Sequence, residues 1–375
     1  MKKCIIVPDS YKGTMNSIKV SEIMKTSVLE HFPDCDVKAI PISDGGEGTV
    51  DCFLKTVKGK KKNLRTLGPF LNEVESFYGI SGDTAIIEMA ASAGLSLAQG
   101  KLDPMKATTY GVGELIKDAV AQGCRKIIIG LGGSCTNDAG VGMAAALGTK
   151  FYDNNDKEFI PVGESLSKIA RIDTKDSDAL LKGIEITAMC DIENPMHGEQ
   201  GAAYVFAPQK GADSAQVKIL DKELKEFANI LEAHTGLRVD DVKGAGAAGA
   251  MGAGIYALLG GKLKQGINIV LDLVGFENLL QGCDCVFTGE GRLDSQSLSG
   301  KVVAGVGKRA KKKGVPVIAV VGTAEIREKA PQLKESGITK VYETDRKRKD
   351  FEDVKKHCED DLKAAMRKAL ADMSH

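Results

Sequence analysis

Four short, largely apolar runs constrain this chain most: "CIIVP" (4–8), "IIIGL" (127–131), "CDCVF" (283–287) and "VPVIAVV" (315–321). Runs this short, without polar alternation, fit strands of a parallel sheet covered on both faces. Segments with helical spacing separate them. In "SIKVSEIMKTSVLEHF" (17–32), Ile18, Ile23, Met24, Val28 and Leu29 fall near one face, and Ser17 is the expected N-cap. A second strand is expected over 36–43 and a second helix over 45–57. Strand, helix, strand, helix is the rhythm of an α/β layer.

The middle of the chain differs. Apolar stretches at 63–70, 76–80 and 84–90 follow one another without helices between, which predicts a partly antiparallel region. Helices are expected over 108–123, 137–148 and 217–234, with buried strands over 126–132 and 183–191. The alternation then resumes: strand 283–291, helix 300–314, strands 315–322 and 340–344, and a charged helix over 350–372. Two α/β flanks around a different middle, in 375 residues, predict two domains.

Composition narrows the function. Fifty-one basic and 51 acidic residues cancel, which argues against a nucleic-acid partner. The basic runs at 58–62 and 308–314 read as a solvated loop and the last turn of a helix. Nine cysteines show no C-x-x-C pair, so a structural zinc site is not expected. The absence of a leader-like segment and of any long apolar span leads us to expect a cytoplasmic protein with reduced thiols and no membrane partner. Whether it is a homodimer is not written in the sequence.

In open α/β sheets ligands bind beyond the carboxyl ends of strands. Five strand ends here are rich in glycine and polar groups. They carry Asp9, Ser10 and Lys12; Asp44 and Glu47; Gly132, Gly133, Ser134 and Thr136; Asp191 and Glu193; and Glu290, Arg292 and Asp294. The turn "GLGGSCTNDAG" (130–140) is expected to bind an anion through backbone N–H groups at a helix start, with Asn137 or Asp138 as an ordinary N-cap the plainer reading. Carboxylates at such ends suit proton transfer from a hydroxyl or the holding of Mg²⁺. Lys12, Arg65, Arg292 and Lys301 are the candidate cations for an anionic substrate.

Several known sites are absent. G-x-x-x-x-G-K-[ST] does not occur, nor do the protein-kinase H-R-D and D-F-G elements, nor H-E-x-x-H. "GAGAAGAMGAG" (244–254) matches G-x-G-x-x-G at Gly244, Gly246 and Gly249, but no apolar strand precedes it. His197 reads as structural or incidental.

Seven segments in order resemble the glycerate kinases that form 2-phosphoglycerate: "PDSYKGT" (8–14), "DGGEGT" (44–49), "GLGGSCTND" (130–138), "CDIENP" (190–195), "APQKGA" (207–212), "GAGAAGAMGAG" (244–254) and "TGEGRLDSQSLSGK" (288–301). Cys135 and Ala250 stand where the resemblance leads us to expect Ala and Gly. The resemblance implies an α/β protein of two domains. A flavodoxin-like parallel-sheet domain is built from 1–80 and 270–375, a mixed α/β domain is inserted over 81–269, and the active site lies in the cleft between them. It further implies ATP, Mg²⁺ and glycerate as ligands. On this reading Asp191 and Asp294 are catalytic. Ser10, Lys12, Asp44, Arg65, Arg292 and Lys301 bind substrate. Gly132, Gly133, Ser134, Thr136, Gly244, Gly246 and Gly249 bind the nucleotide. Asp191, Glu290 and Asp294 hold the metal. Two rival readings are a non-catalytic binding protein for phosphorylated ligands and, from 244–249 alone, an NAD-dependent dehydrogenase.

Overall fold

A computed structural model of the chain describes every residue except Asp44, Gln99, Gln296, Gly300, 327–330, 345–349 and 374–375. The strands of the amino-terminal part are β1 (Lys3–Pro8), β2 (Asp36–Ala39), β3 (Lys60–Leu67), β4 (Glu73–Ser81), β5 (Thr84–Glu88) and β6 (Lys126–Gly130). A small three-stranded sheet follows, of β7 (Lys150–Tyr152), β8 (Glu158–Phe159) and β9 (Arg171–Asp173). The remainder are β10 (Glu185–Met189), β11 (Lys262–Lys264), β12 (Cys285–Gly289), β13 (Arg292–Leu293), β14 (Val317–Val321), β15 (Thr323–Ala324) and β16 (Ile338–Glu343).

The chain divides into two compact units. The first comprises Met1–Ser43, Lys55–Val57 and Gln265–His375; the second comprises Asp44–Leu54 and Lys58–Lys264. In the first unit five parallel strands lie in the order β16-β14-β12-β1-β2. Numbered within the unit and read from the β2 edge, this is 2-1-3-4-5, the flavodoxin-like order. It puts the topological switch point between β1 and β12, where Pro8 lies opposite Gly289. Cys4, Ile6, Phe287 and Val320 form one buried face with Val20 and Met24 of the helix Ser17–His31 and Met366 of the helix Phe351–Ala371. The three central strands β1, β12 and β14 are buried on both sides, which explains their largely apolar sequence, whereas the edge strands β2 and β16 carry exposed polar residues. Asn16, not Ser17, caps the first of these helices, because its side chain reaches the Lys19 N–H at 2.9 Å.

The second unit holds a six-stranded sheet in the order β11-β10-β6-β5-β4-β3. β11, β10, β6 and β5 are parallel, whereas β5-β4-β3 is an antiparallel meander. The meander accounts for the missing helices between 63 and 90. It also shifts the first division of the chain away from residue 80. β3 and β4 are hydrogen-bonded to the sheet that β5 carries, so the division falls in 43–58; the second falls at 264–265. The long helix Ser214–Thr235 starts at a capping box of Asp213 and Gln216 and ends at Gly236, whose φ of 72° closes it.

The loop after β1 is locked to β14. The buried Tyr11 hydroxyl donates to the Val320 carbonyl at 2.6 Å, and residues 11–15 close a tight turn. Tyr11→Phe leaves that carbonyl without its donor. It is expected to cost about 1–3 kcal/mol and to lower the thermal unfolding midpoint; an unchanged midpoint would show that the bond carries no weight.

Candidate functional site

The switch point of the first unit gathers a set of charged groups. Asp9 donates its N–H to the Gly289 carbonyl at 2.8 Å, and its carboxylate accepts the Ser10 N–H at 2.6 Å. Gly289 must be glycine, since a Cβ there would lie 2.1 Å from the Val320 carbonyl. Next in the chain, Glu290 has its carbonyl fixed by the Gly322 N–H at 3.0 Å. Its side chain is 8% exposed. Oε1 is buried with no hydrogen-bond partner among the described residues. Burial pushes the Glu290 carboxyl up to about 7, and Asp9 and Asp294 add to the rise, while Ser297 and Lys301 oppose it. A carboxyl held in that range is suited to exchange a proton or to bind a cation.

Asp294 is held more firmly. Its Oδ1 accepts from the Ser297 N–H at 3.0 Å and the Ser297 hydroxyl at 3.2 Å, and its own N–H donates to that hydroxyl at 3.1 Å. Arg292 is exposed and ion-paired with Glu325. Lys12 is exposed on the β1 loop, and Lys301 is exposed at the start of the helix Val302–Lys311. Asp44 lies outside the described residues.

The second unit gathers a different set. Four glycine-bearing loops meet backbone against backbone. A Cβ on Gly130 would lie 2.3 Å from the Gly45 carbonyl, and one on Gly132 2.6 Å from Gly46 Cα. A Cβ on Gly246 would lie 2.1 Å from the Pro195 carbonyl, and one on Gly249 2.0 Å from the Thr136 carbonyl. Real Cβ contacts are never so short, so these positions exclude every side chain.

This arrangement bears on the expected nucleotide site. The Gly132 N–H is donated to the Gly45 carbonyl at 2.9 Å and the Gly246 N–H to the Asn194 carbonyl at 3.0 Å. Neither is left to bind a phosphate. Gly244 sits against the Cys190 thiol, and Gly249 lies inside a kink of the helix Ala247–Leu258. The glycines of 244–254 therefore serve close packing, and the dinucleotide reading loses its one support. The helix after the 130–140 turn is likewise no anion site. It is only Val141–Ala146, and Asp138 already accepts the Gly140 and Gly142 N–H groups at 3.2 and 3.3 Å. Asp138 also takes the Thr109 N–H and hydroxyl, each at 2.8 Å. Gly133 remains exposed with a φ of 76°, beside Ser134 and Thr136.

Two expected residues are placed on surfaces. Arg65 stands on the edge strand β3, paired with Glu75 at 2.8 Å and Glu73 at 3.6 Å; it reads as a cross-strand surface pair. Asp191 is exposed at the carboxyl end of β10. His197 is bonded to Asp240 at 2.9 Å, in keeping with a structural role.

Two residues escaped sequence reasoning. Lys210, in "APQKGA", is only 2% exposed. Its Nζ donates to the Ser134 hydroxyl at 2.8 Å and the Thr136 carbonyl at 2.7 Å. A lysine between Gln and Gly looks like a surface charge, and only its place within a matching segment could have singled it out. Glu88, also buried, ends β5 and accepts the Val50 N–H at 2.7 Å at the start of the helix Thr49–Thr56. The lone acid closing "TAIIE" was its only signal.

The model of the glycerate kinase family matches residues 4–374. The chain belongs to the glycerate kinase family. Among curated relatives in that family, the Bacillus cereus glycerate kinase is 43% identical over 91% of this chain and 90% of its own length. The Escherichia coli K12 glycerate 2-kinase is 44% identical over 86% of this chain and 85% of its own. A Salmonella typhimurium LT2 crystal structure, whose assignment as glycerate kinase 2 is itself provisional, superposes with a TM-score of 0.86. It shares 38% identity and covers 100% of this chain and 98% of that one.

Ala250 stands where the resemblance leads us to expect Gly, and the structure shows what an alanine there must adopt. Ala248, Gly249 and Ala250 adopt left-handed angles, with φ of 55°, 66° and 65°. A left-handed alanine costs roughly 1–2 kcal/mol, against which glycine loses about 0.5–1 kcal/mol of chain entropy. Ala250→Gly is therefore expected to leave the melting temperature unchanged or raised. Gly249→Ala, which meets the Thr136 carbonyl, is expected to cost about 3 kcal/mol. Thermal denaturation of both variants checks the pair; a harmless Gly249→Ala would refute the tight packing.

Glu290 gives a pH signature in the ligand-free protein. Its folded value is raised above the unfolded one, so the folded state binds the extra proton between about pH 4.5 and 7. Stability therefore falls as pH rises through that window, then levels off. Glu290→Gln removes the dependence and is expected to be more stable than the parent at pH 8, by up to about 3 kcal/mol. Denaturant titrations at pH 5 and pH 8 measure it; parallel losses in both proteins would contradict the buried, unpaired carboxylate.

Proposed function

We propose that this chain transfers the γ-phosphoryl group of ATP to a hydroxyl of glycerate and releases 2-phosphoglycerate. Family membership supports the class of reaction, and the name of the E. coli relative supports the position of transfer. The observation in the fold that carries the reading is Glu290. It is a buried carboxylate with an unpartnered oxygen, at the switch point of a flavodoxin-like sheet. A protein that merely bound phosphorylated anions would gain nothing from a desolvated acid there, since carboxylates repel phosphates unless a cation intervenes.

Among the described residues no group of three or more His, Cys, Asp or Glu is arranged to hold a metal. Asp191, Glu290 and Asp294 are thus not found as one such group; Mg²⁺ in general keeps several waters and takes one or two carboxylates together with substrate phosphates. The unpartnered Oε1 of Glu290 suits this role, and the Ser297 bonds that orient Asp294 give it a fixed carboxylate. Bound there, Mg²⁺ would neutralise charge on the transferring phosphoryl group. Lys12 and Lys301 would attract the glycerate carboxylate, and Ser10 lies on the same loop as Lys12. Asp191, exposed at the end of β10, is our candidate to orient the substrate hydroxyl and accept its proton. Phosphoryl transfer depends mostly on positioning and charge stabilisation, so this inventory suffices. We place the protein in the cytoplasm, where ATP is available; no helix among the described residues is long and apolar enough to cross a membrane.

The test is ADP formation from ATP, Mg²⁺ and glycerate, with the product identified by phosphorus NMR. Asp191→Asn is expected to lower kcat by about 10²–10⁴ with an unchanged melting temperature, because the side chain is exposed. Normal turnover by this variant removes Asp191 from the chemistry. No ADP from the parent enzyme removes the whole reading.

A further inference from the structure

Lys210 is the cation the proposed reaction has not used. It is almost wholly buried, and no Asp or Glu among the described residues lies within 4.0 Å to pair with it. A buried ammonium without a counter-ion is among the most expensive groups a protein can carry. Its Nζ spends two hydrogens on the Ser134 hydroxyl and the Thr136 carbonyl, and so grips the 132–137 loop from its buried side. The neighbouring polar groups are unsatisfied as well. The Thr136 hydroxyl and both amide atoms of Asn137 are buried without a partner among the described residues. On the outer side of the same loop Gly133 is exposed and left-handed, the turn geometry that forms anion-binding concavities.

We propose that Lys210 is a positioning residue for an anionic nucleotide. It clamps the Gly132–Asn137 loop and supplies, from beneath, the positive charge that a polyphosphate on the exposed side of that loop requires. This rests on the reading of the chain as an ATP-dependent kinase. It assigns the polyphosphate to this loop and withdraws it from the glycines of 244–249. Lys210 touches no ligand itself; its charge acts through the loop.

The electrostatic surroundings give the proposal a readout that packing alone would not move. Burial pushes the Lys210 amine down to about 8, and the two titratable groups that face it, Cys135 and Asp138, act weakly in the opposite sense. Cys135 is itself pushed up to about 11 by burial and stays a neutral thiol in the relevant range. Asp138 is held by the four donors already described. An anion on the loop raises the Lys210 value. Below pH 8 the amine is already charged and binding takes up no proton; above pH 8 binding is accompanied by proton uptake.

The experiment is calorimetric titration of the full chain with ATP and Mg²⁺ at pH 7 and pH 8.5, in buffers of different ionisation heat. Proton uptake is expected at pH 8.5 and little at pH 7. Lys210→Met, of similar volume, is expected to abolish the uptake and weaken ATP binding at pH 7 about tenfold or more. ATP binding and turnover without uptake at pH 8.5 overturn this inference alone. So does a folded Lys210→Met variant that keeps both uptake and affinity. If that variant fails to fold, uptake by the parent decides. A parent enzyme that binds no ATP overturns both this inference and the proposed reaction.

Discussion

The close approach of backbones at the strand ends of the second unit is the constraint on which much else depends. Gly130 against Gly45 and Gly249 against Thr136 bring main chains to distances that a single methyl group would forbid. Loops so placed cannot be held by side-chain packing. They are held by main-chain hydrogen bonds such as Gly132 to Gly45 and Ala139 to Gly249, both near 3 Å. Segments far apart in sequence are thus fixed to one another without any large residue at the contact. The strain this imposes is visible in the left-handed Ala139, Ala248 and Ala250. Left-handed alanines persist only where the surroundings over-determine them.

Against that rigid background two ionisable groups are buried at a cost. Lys210 in the second unit is driven toward its neutral form by desolvation, and Glu290 in the first toward its protonated form. Neither is repaid by an opposite charge in direct contact. Asp138 shows how donors offset burial, although burial still holds its carboxyl above the ordinary carboxylate range. It is equally buried, and it collects donors from Thr109, Gly140 and Gly142. The contrast separates a carboxylate that stabilises a turn from one with capacity left over for a ligand.

The flavodoxin-like order of the first unit decides where its capacity is spent. Because β1 and β12 run side by side while their connections leave in opposite directions, the ends of these two strands open toward a ligand. Asp9, Lys12, Glu290 and Asp294 lie on the two loops concerned. The pairing of β13 with β15 and the Tyr11 bond to β14 hold those loops in place.

The sequence by itself determined the secondary structure of the parallel strands, the antiparallel interruption in the middle, and the seven segments on which the family resemblance rests. These are local matters, set by hydrophobic period, turn residues and order along the chain. It also brought Glu290 and Asp294 into view, because uncompensated polarity after an apolar strand is legible in one dimension. Only the tertiary structure decided what the glycines do. A glycine that cradles a phosphate and one that admits a neighbouring carbonyl are spelled alike, and only the structure places Gly246 against the Pro195 carbonyl. Only the tertiary structure set the division of the chain near residue 43, since hydrogen bonding of β3 and β4 to β5 is a long-range choice. It alone revealed Lys210, because burial belongs to the neighbours a residue acquires, and nothing in "APQKGA" says that this lysine lies beneath a loop some seventy residues earlier in the chain.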